Sequence, residues 1–249
     1  MLEQATRPAI ETPMETVVSV PAARPAFRPV RPLRGLTFVG PIAPTSDLES
    51  FLKRALDLAL ALPALVVLGP LMLAVAIAIK LDSPGPVFIV QQRVSRGLRK
   101  FRMYKFRSMV KNADELIPSL QALNEATPPL FKIRNDPRIT KLGRRLRKLS
   151  IDELPQLVNV LLGDMSLVGP RPERPYFVEQ FKHRIPQYML RHKVKAGITG
   201  WAQVNGWRGN TSLEKRIEYD LYYIENWSVT LDIKIMCLTV LRGLQKHAY

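Results

Sequence analysis

Two adjacent carboxylates, Asp152 and Glu153, stand directly behind a basic stretch of the chain. The six cations of that stretch, which has no intervening acid, are Arg138, Lys141, Arg144, Arg145, Arg147 and Lys148. Further along, Arg171 stands between two prolines, which stiffen the backbone on both sides of its guanidinium. Carboxylates can hold a metal ion or attack phosphorus, and a fixed guanidinium suits bidentate phosphate binding. The pattern indicates a site that handles phosphate with its own carboxylates.

The same residues also have a purely structural interpretation. Residues 154–162 have helical apolar spacing, so the acidic pair would lie at the exposed N-terminus of a helix. Ser150 and Glu153 match a capping box, and the helix dipole favours acids in a first turn without any catalytic role. Arg171 could likewise form a structural salt bridge. Both interpretations are open at this point.

Common metal and nucleotide motifs do not occur in the sequence. The histidines His183, His192 and His247 are scattered, and with the single Cys237 they make no zinc set. Cys237 lies in an apolar run, and we expect it to be a small buried hydrophobe. Neither the P-loop signature nor the glycine-rich dinucleotide signature is present. Mg²⁺ fits better because it binds through one or two carboxylates together with substrate phosphates.

The chain has 249 residues and a formal charge of +16, with an isoelectric point near 10.3. A folded surface of this charge attracts polyanions, which include nucleic acid, anionic lipid and phosphorylated substrates. Nucleic acid is disfavoured because no recognised nucleic-acid fold signature accompanies the basic and aromatic segment 100–109. One cysteine provides no disulfide framework, which suits a reducing compartment.

A long apolar segment narrows the partners further. Between residues 55 and 79 the only charged residue is Asp57, and Lys or Arg flanks both ends. A straight helix of this length would reach roughly 37 Å, enough to cross a hydrocarbon core of about 30 Å. However, Pro63 and the pair Gly69 and Pro70 should interrupt it. Basic residues at both ends favour the cytoplasmic side for each. We therefore predict a re-entrant hairpin with its membrane break at Gly69 and Pro70, and a helix that crosses once is the alternative.

These features predict a mainly α protein with short extended segments. Residues 1–50 should be a flexible Pro- and Arg-rich cytoplasmic tail, and residues 51–82 a re-entrant helix-break-helix of a monotopic membrane protein. Residues 83–249 should form a compact domain on the cytoplasmic face with interfacial amphipathic helices. Extended pieces are expected at 86–93 and 100–109, and helices at 114–126, 154–162 and 212–225. An apolar stripe at 231–244 would lie on the membrane or pack on the core.

Six motifs of the chain, taken in order, resemble those of one known family. They are Lys53-Arg54-x-x-Asp57, Asp82-Ser-Pro-Gly-Pro-Val-Phe, Tyr104-Lys-Phe-Arg-Ser-Met, Asp152-Glu-Leu-Pro-Gln, Gly163-Asp-Met-Ser-Leu-Val-Gly-Pro-Arg-Pro and Gly197-Ile-Thr-Gly-Trp-Ala-Gln-Val-Asn-Gly. The family is the bacterial sugar transferases, monotopic polyprenyl-phosphate phosphoglycosyl transferases that start exopolysaccharide and glycan assembly. Its members break their membrane helix at a Ser-Pro, of which this chain keeps the proline as Pro70 but not the serine.

The resemblance implies a two-step enzyme at the bacterial inner membrane, with the catalytic domain, residues 83–249, on the cytoplasmic face. Asp152 would attack the sugar-proximal phosphate of a UDP-hexose, glucose or galactose, and UMP would leave. Undecaprenyl phosphate would then take the hexose-1-phosphate. Glu153 would be the carboxylate of a Mg²⁺ site, and Arg171 would stabilise the anionic transition state.

Lys105, Arg107 and Arg145 are further expected phosphate contacts. A homodimer could use the C-terminal stripe, although nothing in the sequence demands one. The competing hypothesis is a non-enzymatic basic scaffold at the membrane that recruits acidic partners, in which Asp152 and Glu153 merely cap a helix. It predicts no turnover and strongly salt-dependent binding.

Overall fold

The computed structural model describes residues 46–125, 131–209 and 211–243. Residues 1–45 of the predicted tail lie outside the described residues. Over the described residues the protein is mainly helical, with two small two-stranded sheets, as the sequence predicts. The helices are α1 (Asp47–Asp82), α2 (Lys141–Lys148), α3 (Gln156–Leu162), α4 (Pro175–Lys182), α5 (Trp201–Val204), α6 (Leu213–Glu225) and α7 (Val229–Gly243). The strands are β1 (Phe88–Val94), β2 (Lys100–Phe106), β3 (Met165–Val168) and β4 (Ala196–Thr199).

Helix α1 is long and apolar enough to cross a membrane. It begins at a complete capping box in which Ser46 and Glu49 satisfy each other's backbone N–H groups. Its outer face leaves large apolar side chains uncovered, among them Val66 at 69% and Val67 at 75% exposure. An exposed apolar face of this length is unfavourable in water, so it fits contact with lipid.

The predicted break in this helix is not seen. Helix α1 continues through Pro63 and Pro70, and it begins at Asp47 rather than at residue 51. Proline removes one hydrogen bond, and membrane helices tolerate that loss where local adjustments satisfy the freed groups. Gly69 and Pro70 therefore do not divide the segment into two helices. A path that enters and leaves the bilayer on one side stays a prediction.

Strands β1 and β2 form an antiparallel hairpin in which Ile89 pairs with Lys105 and Arg93 pairs with Phe101. These strands confirm the extended pieces expected at 86–93 and 100–109. Directly paired residues share a face, so Lys105 and Arg93 leave the hairpin on the same side. That side lies against the acidic pair, as the bond between Lys105 and Glu153 shows.

Strands β3 and β4 are parallel, with Met165 opposite Ala196. Beside them the backbones approach so closely that a Cβ on Gly197 would lie 2.1 Å from the nitrogen of Gly169. This approach explains why the two longest motifs carry glycine there.

The segment predicted as a helix at 114–126 instead forms turns and a 3₁₀ segment, Pro118–Leu123, over its described part.

Helices α6 and α7 complete the core. Ile217 and Leu221 of α6 and Ile235 of α7 are fully buried in one apolar cluster. The predicted helix at 212–225 is confirmed, and Ser212 caps it. Over residues 231–241, the predicted apolar stripe packs on the core with one face. Cys237 is exposed, so its predicted burial is wrong. An interfacial position for these helices stays a prediction.

The polar start of α1 fixes this helix to the domain. Lys53 Nζ lies 2.6 Å from Asp232 Oδ2 of α7 and donates to the Val168 carbonyl at 3.0 Å. Arg54 donates to the last carbonyls of α3 at 2.6 and 2.9 Å. Asp57 accepts from the Ser166 hydroxyl and from a backbone N–H of β3, both at 2.9 Å. The first motif of the chain therefore docks the apolar helix against α3 and β3.

Candidate active site

The acidic pair lies in a 3₁₀ turn, Ile151–Glu153, between α2 and α3. Ser150 adopts a left-handed backbone with φ of 55°, which turns the chain sharply, and its side chain caps no helix. Asp152 and Glu153 are only 8% and 7% exposed. The alternative interpretation, a capping box at an exposed helix N-terminus, is therefore wrong, since α3 begins after Pro155 and both acids are buried.

Glu153 is surrounded by cations. Arg171 donates to its Oε1 at 2.6 Å and to its Oε2 at 3.2 Å, and Lys105 Nζ donates to Oε1 at 2.8 Å. Arg208 lies 3.8 Å from Oε2. Burial alone would raise the pKa of Glu153, but Arg171 and Lys105 hold that pKa well below its usual range. The structure thus brings two predicted phosphate contacts, Arg171 and Lys105, to the acidic pair.

Asp152 differs from its neighbour. Its carboxylate makes no hydrogen bond or ion pair with any described residue, although it lines the cavity beside Glu153. Burial raises the pKa of Asp152, and the positive charges of Lys105 and Arg147 partly oppose this effect. Both Asp152 oxygens are therefore available to an incoming group, which is what a nucleophile or metal ligand requires.

The acidic pair opens into a cavity of about 940 Å³. It lies between the β1–β2 hairpin, the segments 107–117 and 131–139, and the start of α4. Eleven Lys or Arg side chains and four Asp or Glu side chains contribute to its lining. A cavity of this size suits a small organic ligand, and its excess of cations selects an anionic one.

The other two predicted phosphate contacts, Arg107 and Arg145, do not bond to the acidic pair. Arg107 is buried and donates to the carbonyls of Ile79, Ser83 and Pro84, at 3.3, 2.6 and 2.9 Å. These bonds attach Arg107 to the end of α1, and Arg107 also lines the cavity, so its contact with phosphate stays a prediction. Arg145 is exposed on α2 and does not line the cavity.

On α2, Arg147 rather than the predicted Arg145 faces the cavity. It lines the cavity, and its Nε donates to the Ser108 hydroxyl at 2.8 Å. One turn earlier on α2, Gly143 also faces residue 108, because a Cβ there would lie 2.0 Å from the Ser108 carbonyl oxygen. In the sequence, Gly143 and Arg147 are four residues apart and therefore lie on the same face of a helix. This spacing was the signal that could have indicated Arg147. Arg208, near Glu153, was also missed.

Glu153, the predicted Mg²⁺ ligand, is not free to bind a metal ion in this arrangement. Both oxygens of Glu153 are engaged by cations, which a metal ion would have to displace. Across the described residues, no group of three or more His, Cys, Asp or Glu could hold a metal ion. Asp152, with free oxygens, is the carboxylate that could share Mg²⁺ with the phosphates of a substrate.

A long apolar helix docked on a domain with a basic, carboxylate-containing cavity fits a membrane-associated protein that binds an anionic ligand. Residues 48–246 match the family described as bacterial sugar transferase. The chain therefore belongs to the bacterial sugar transferase family, and the recognition made from its six motifs is confirmed.

Named relatives agree with this assignment. The UDP-glucose:undecaprenyl-phosphate glucose-1-phosphate transferase of Escherichia coli (strain K12) is 48% identical over 211 residues, which cover 83% of this chain and 43% of that protein. The UDP-N-acetylgalactosamine-undecaprenyl-phosphate N-acetylgalactosaminephosphotransferase of Aeromonas hydrophila is 47% identical over 197 residues, 78% of this chain and 44% of that protein. The chain thus spans less than half the length of these two relatives.

A third relative matches over nearly its whole length. The exopolysaccharide production protein PSS of Rhizobium leguminosarum bv. phaseoli is 41% identical over 206 residues, which cover 80% of this chain and 98% of that protein. The stretch of this chain that matches the family, residues 48–246, includes the acidic pair and nearly all of α1.

Proposed function

We propose that this protein transfers a hexose-1-phosphate, of glucose or galactose, from a UDP-hexose to undecaprenyl phosphate, and so starts an exopolysaccharide repeat unit. The observation that carries the proposal is the buried carboxylate of Asp152, which has no bonding partner among the described residues and lies in the wall of a basic cavity. Beside it, the charge of Glu153 is already balanced. The name of the Escherichia coli relative supports the donor and the acceptor, and the name of the Rhizobium relative supports a role in exopolysaccharide production. We place the site on the cytoplasmic face of the bacterial inner membrane.

In the first step, an ionised Asp152 oxygen attacks the phosphorus of the sugar-proximal phosphate. The bond from that phosphorus to the bridging oxygen breaks, and UMP leaves with the bridging oxygen and its electron pair. The product on the protein is a phosphosugar-aspartate. Lys105 and Arg171, fixed by Glu153, stabilise the negative charge that accumulates on the transferring phosphate.

In the second step, a phosphate oxygen of undecaprenyl phosphate attacks the same phosphorus. The bond to Asp152 breaks, the carboxylate is regenerated, and undecaprenyl-diphosphate-hexose is released. When bound, Mg²⁺ would be held by Asp152 and the substrate phosphates and would offset phosphate charge. The docking of α1 supports a lipid acceptor, since it would keep the site beside the bilayer in which the lipid phosphate lies.

Trapping the intermediate tests the proposal. The full-length protein, purified in detergent, is incubated with Mg²⁺ and UDP-glucose or UDP-galactose without lipid, and UMP release and intact mass are measured. We expect one UMP per chain and a mass gain of one hexose phosphate on Asp152, which undecaprenyl phosphate then removes. Asp152→Asn should abolish both signals, whereas the control Glu179→Gln, which changes an exposed carboxylate outside the cavity, should retain them.

Three results would count against the proposal. Turnover that survives in Asp152→Asn would remove Asp152 as the nucleophile, and an adduct on another residue would do the same. A folded protein that releases no UMP from any UDP-hexose would favour the scaffold hypothesis.

A further inference from the structure

A second group of cations lines the cavity without a carboxylate partner. The Nε of Arg93, near the end of β1, is buried and has no hydrogen-bond partner, while its NH2 donates to Gln91 at 2.8 Å. Arg174, just before α4, lines the same cavity, and its guanidinium makes no hydrogen bond or ion pair with a described residue. These two side chains, Arg93 and Arg174, are here called the outer arginine pair.

A backbone hydrogen bond places the two residues of the outer arginine pair near each other. The N–H of Val94 donates to the carbonyl of Glu173 at 3.0 Å and joins the end of β1 to the segment before α4. Arg93 and Arg174 are the chain neighbours of the two bonded residues. Burial, and then the positive charge of Arg174, lower the pKa of Arg93 to about 10. Like charges held side by side at a cavity wall favour an anion between them.

The outer arginine pair adjoins the cations around Glu153. Arg93 and Lys105 leave the same face of the hairpin, and the charges of Arg171 and Glu153 both act on Arg93. The cavity therefore presents two neighbouring anion sites, of which only the inner one contains a carboxylate. A nucleoside diphosphate sugar carries two neighbouring phosphates, and the attack by Asp152 needs the sugar-proximal one beside Lys105 and Arg171.

We propose that Arg93 and Arg174 bind the nucleotide-side phosphate of the donor, the one that UMP retains, an assignment that rests on the proposed function. The outer arginine pair then holds the leaving group, whose negative charge increases as the bond to the bridging oxygen breaks. It stabilises the first transfer step. It makes no contribution to the second step, in which UMP is absent.

Ligand binding with two variants tests this assignment. We would measure the affinity of full-length wild type, Arg93→Gln and Arg174→Gln for UMP and for uridine by calorimetry in detergent. Each variant should lose about tenfold or more in UMP affinity, as expected for a charge-assisted bond, and uridine affinity should not change. Arg145→Gln is the matched control, since Arg145 is exposed and lies outside the cavity. Because Arg174 is exposed, its substitution keeps the test valid if Arg93→Gln fails to fold.

The half-reactions separate the remaining possibilities. Discharge of preformed phosphosugar-enzyme by undecaprenyl phosphate should proceed at the wild-type rate in both variants. Unchanged UMP affinity in Arg174→Gln and in folded Arg93→Gln would overturn the assignment. Unchanged UMP affinity with a raised KM for undecaprenyl phosphate would overturn it and give the pair to the acceptor phosphate. A wild type that binds UMP but forms none from any UDP-hexose would refute the proposed function, and the binding measurements would still decide the phosphate site.

Discussion

Replacing Glu153 by Gln should weaken the fold, because Glu153 is the carboxylate that balances the buried cations of the inner site. Its side chain is 9% exposed and that of its partner Lys105 is 12% exposed. Removing one member of a buried ion pair costs about 3–5 kcal/mol. Gln keeps one carbonyl acceptor, so we expect the lower end, about 3 kcal/mol. At about 2–4 °C per kcal/mol for a chain of this size, the melting temperature should fall by about 6–12 °C.

The same substitution should alter the pH dependence of the reaction. The negative charge of Glu153 contributes to the raised pKa of Asp152, after the larger contribution of burial. Without that charge, Asp152 should remain ionised at lower pH, and the acid limb of the rate profile should move to lower pH. The Mg²⁺ concentration for half-maximal rate should not change, because the Glu153 oxygens are engaged by Arg171 and Lys105.

Thermal unfolding in detergent and initial rates of UMP release over a series of pH values and Mg²⁺ concentrations provide the measurements. Glu179→Gln is the control, because that carboxylate is exposed and should change none of these quantities. An unchanged melting temperature in Glu153→Gln would refute the charge-balance reasoning. A clearly raised Mg²⁺ requirement would instead restore the sequence-based role of Glu153 as a metal ligand.

Three further outcomes follow from the geometry. In the wild type, single-turnover UMP release should slow as pH falls through the raised pKa of Asp152, since the protonated carboxyl is not a nucleophile; a pH-independent rate there would contradict this role. Asp57→Ala should cost about 1–3 kcal/mol in thermal unfolding, because a buried hydroxyl and a backbone N–H lose their acceptor; an unchanged melting temperature would show that this contact contributes nothing. Gly197→Ala should sharply reduce the yield of folded protein, because its Cβ would overlap the backbone of Gly169, whereas Gly69→Ala has open space and should not; equal yields would contradict the close approach.

Local signals in the sequence were sufficient for several elements. Alternating side chains and turn residues predicted both strands of the hairpin, and helical apolar spacing predicted α6. These signals depend on near neighbours in the chain, which is why they can be read without knowing the fold. The proximity of Lys105 and Arg171 to the acidic pair followed instead from the resemblance, and their distances to Glu153 agree with it.

Tertiary contacts decided the features that the sequence could not provide. The sequence of residues 150–153 is compatible both with a capping box and with the left-handed turn that buries Glu153 against cations. The residue types alone do not distinguish the two. Among the arginines of α2, the packing of Gly143 on the backbone of residue 108 determines which one enters the cavity. The apolar run around Cys237 likewise does not reveal which side of α7 meets the core.

The charged start of α1 connects the apolar helix to the domain that holds the acidic pair. A buried Asp57 on an otherwise apolar helix would be costly in lipid unless it were satisfied, and the domain supplies its partners from β3. At the other end of the helix, Arg107 of the segment after β2 donates to the carbonyl of Ile79 in α1 and to that of Ser83, which follows α1. Because the acidic turn lies between β2 and β3 in the chain, both attachments hold it at a fixed position relative to α1. The proposed transfer to a lipid phosphate at the membrane surface needs this constraint, since a domain on a loose tether would not keep Asp152 at the depth of that phosphate.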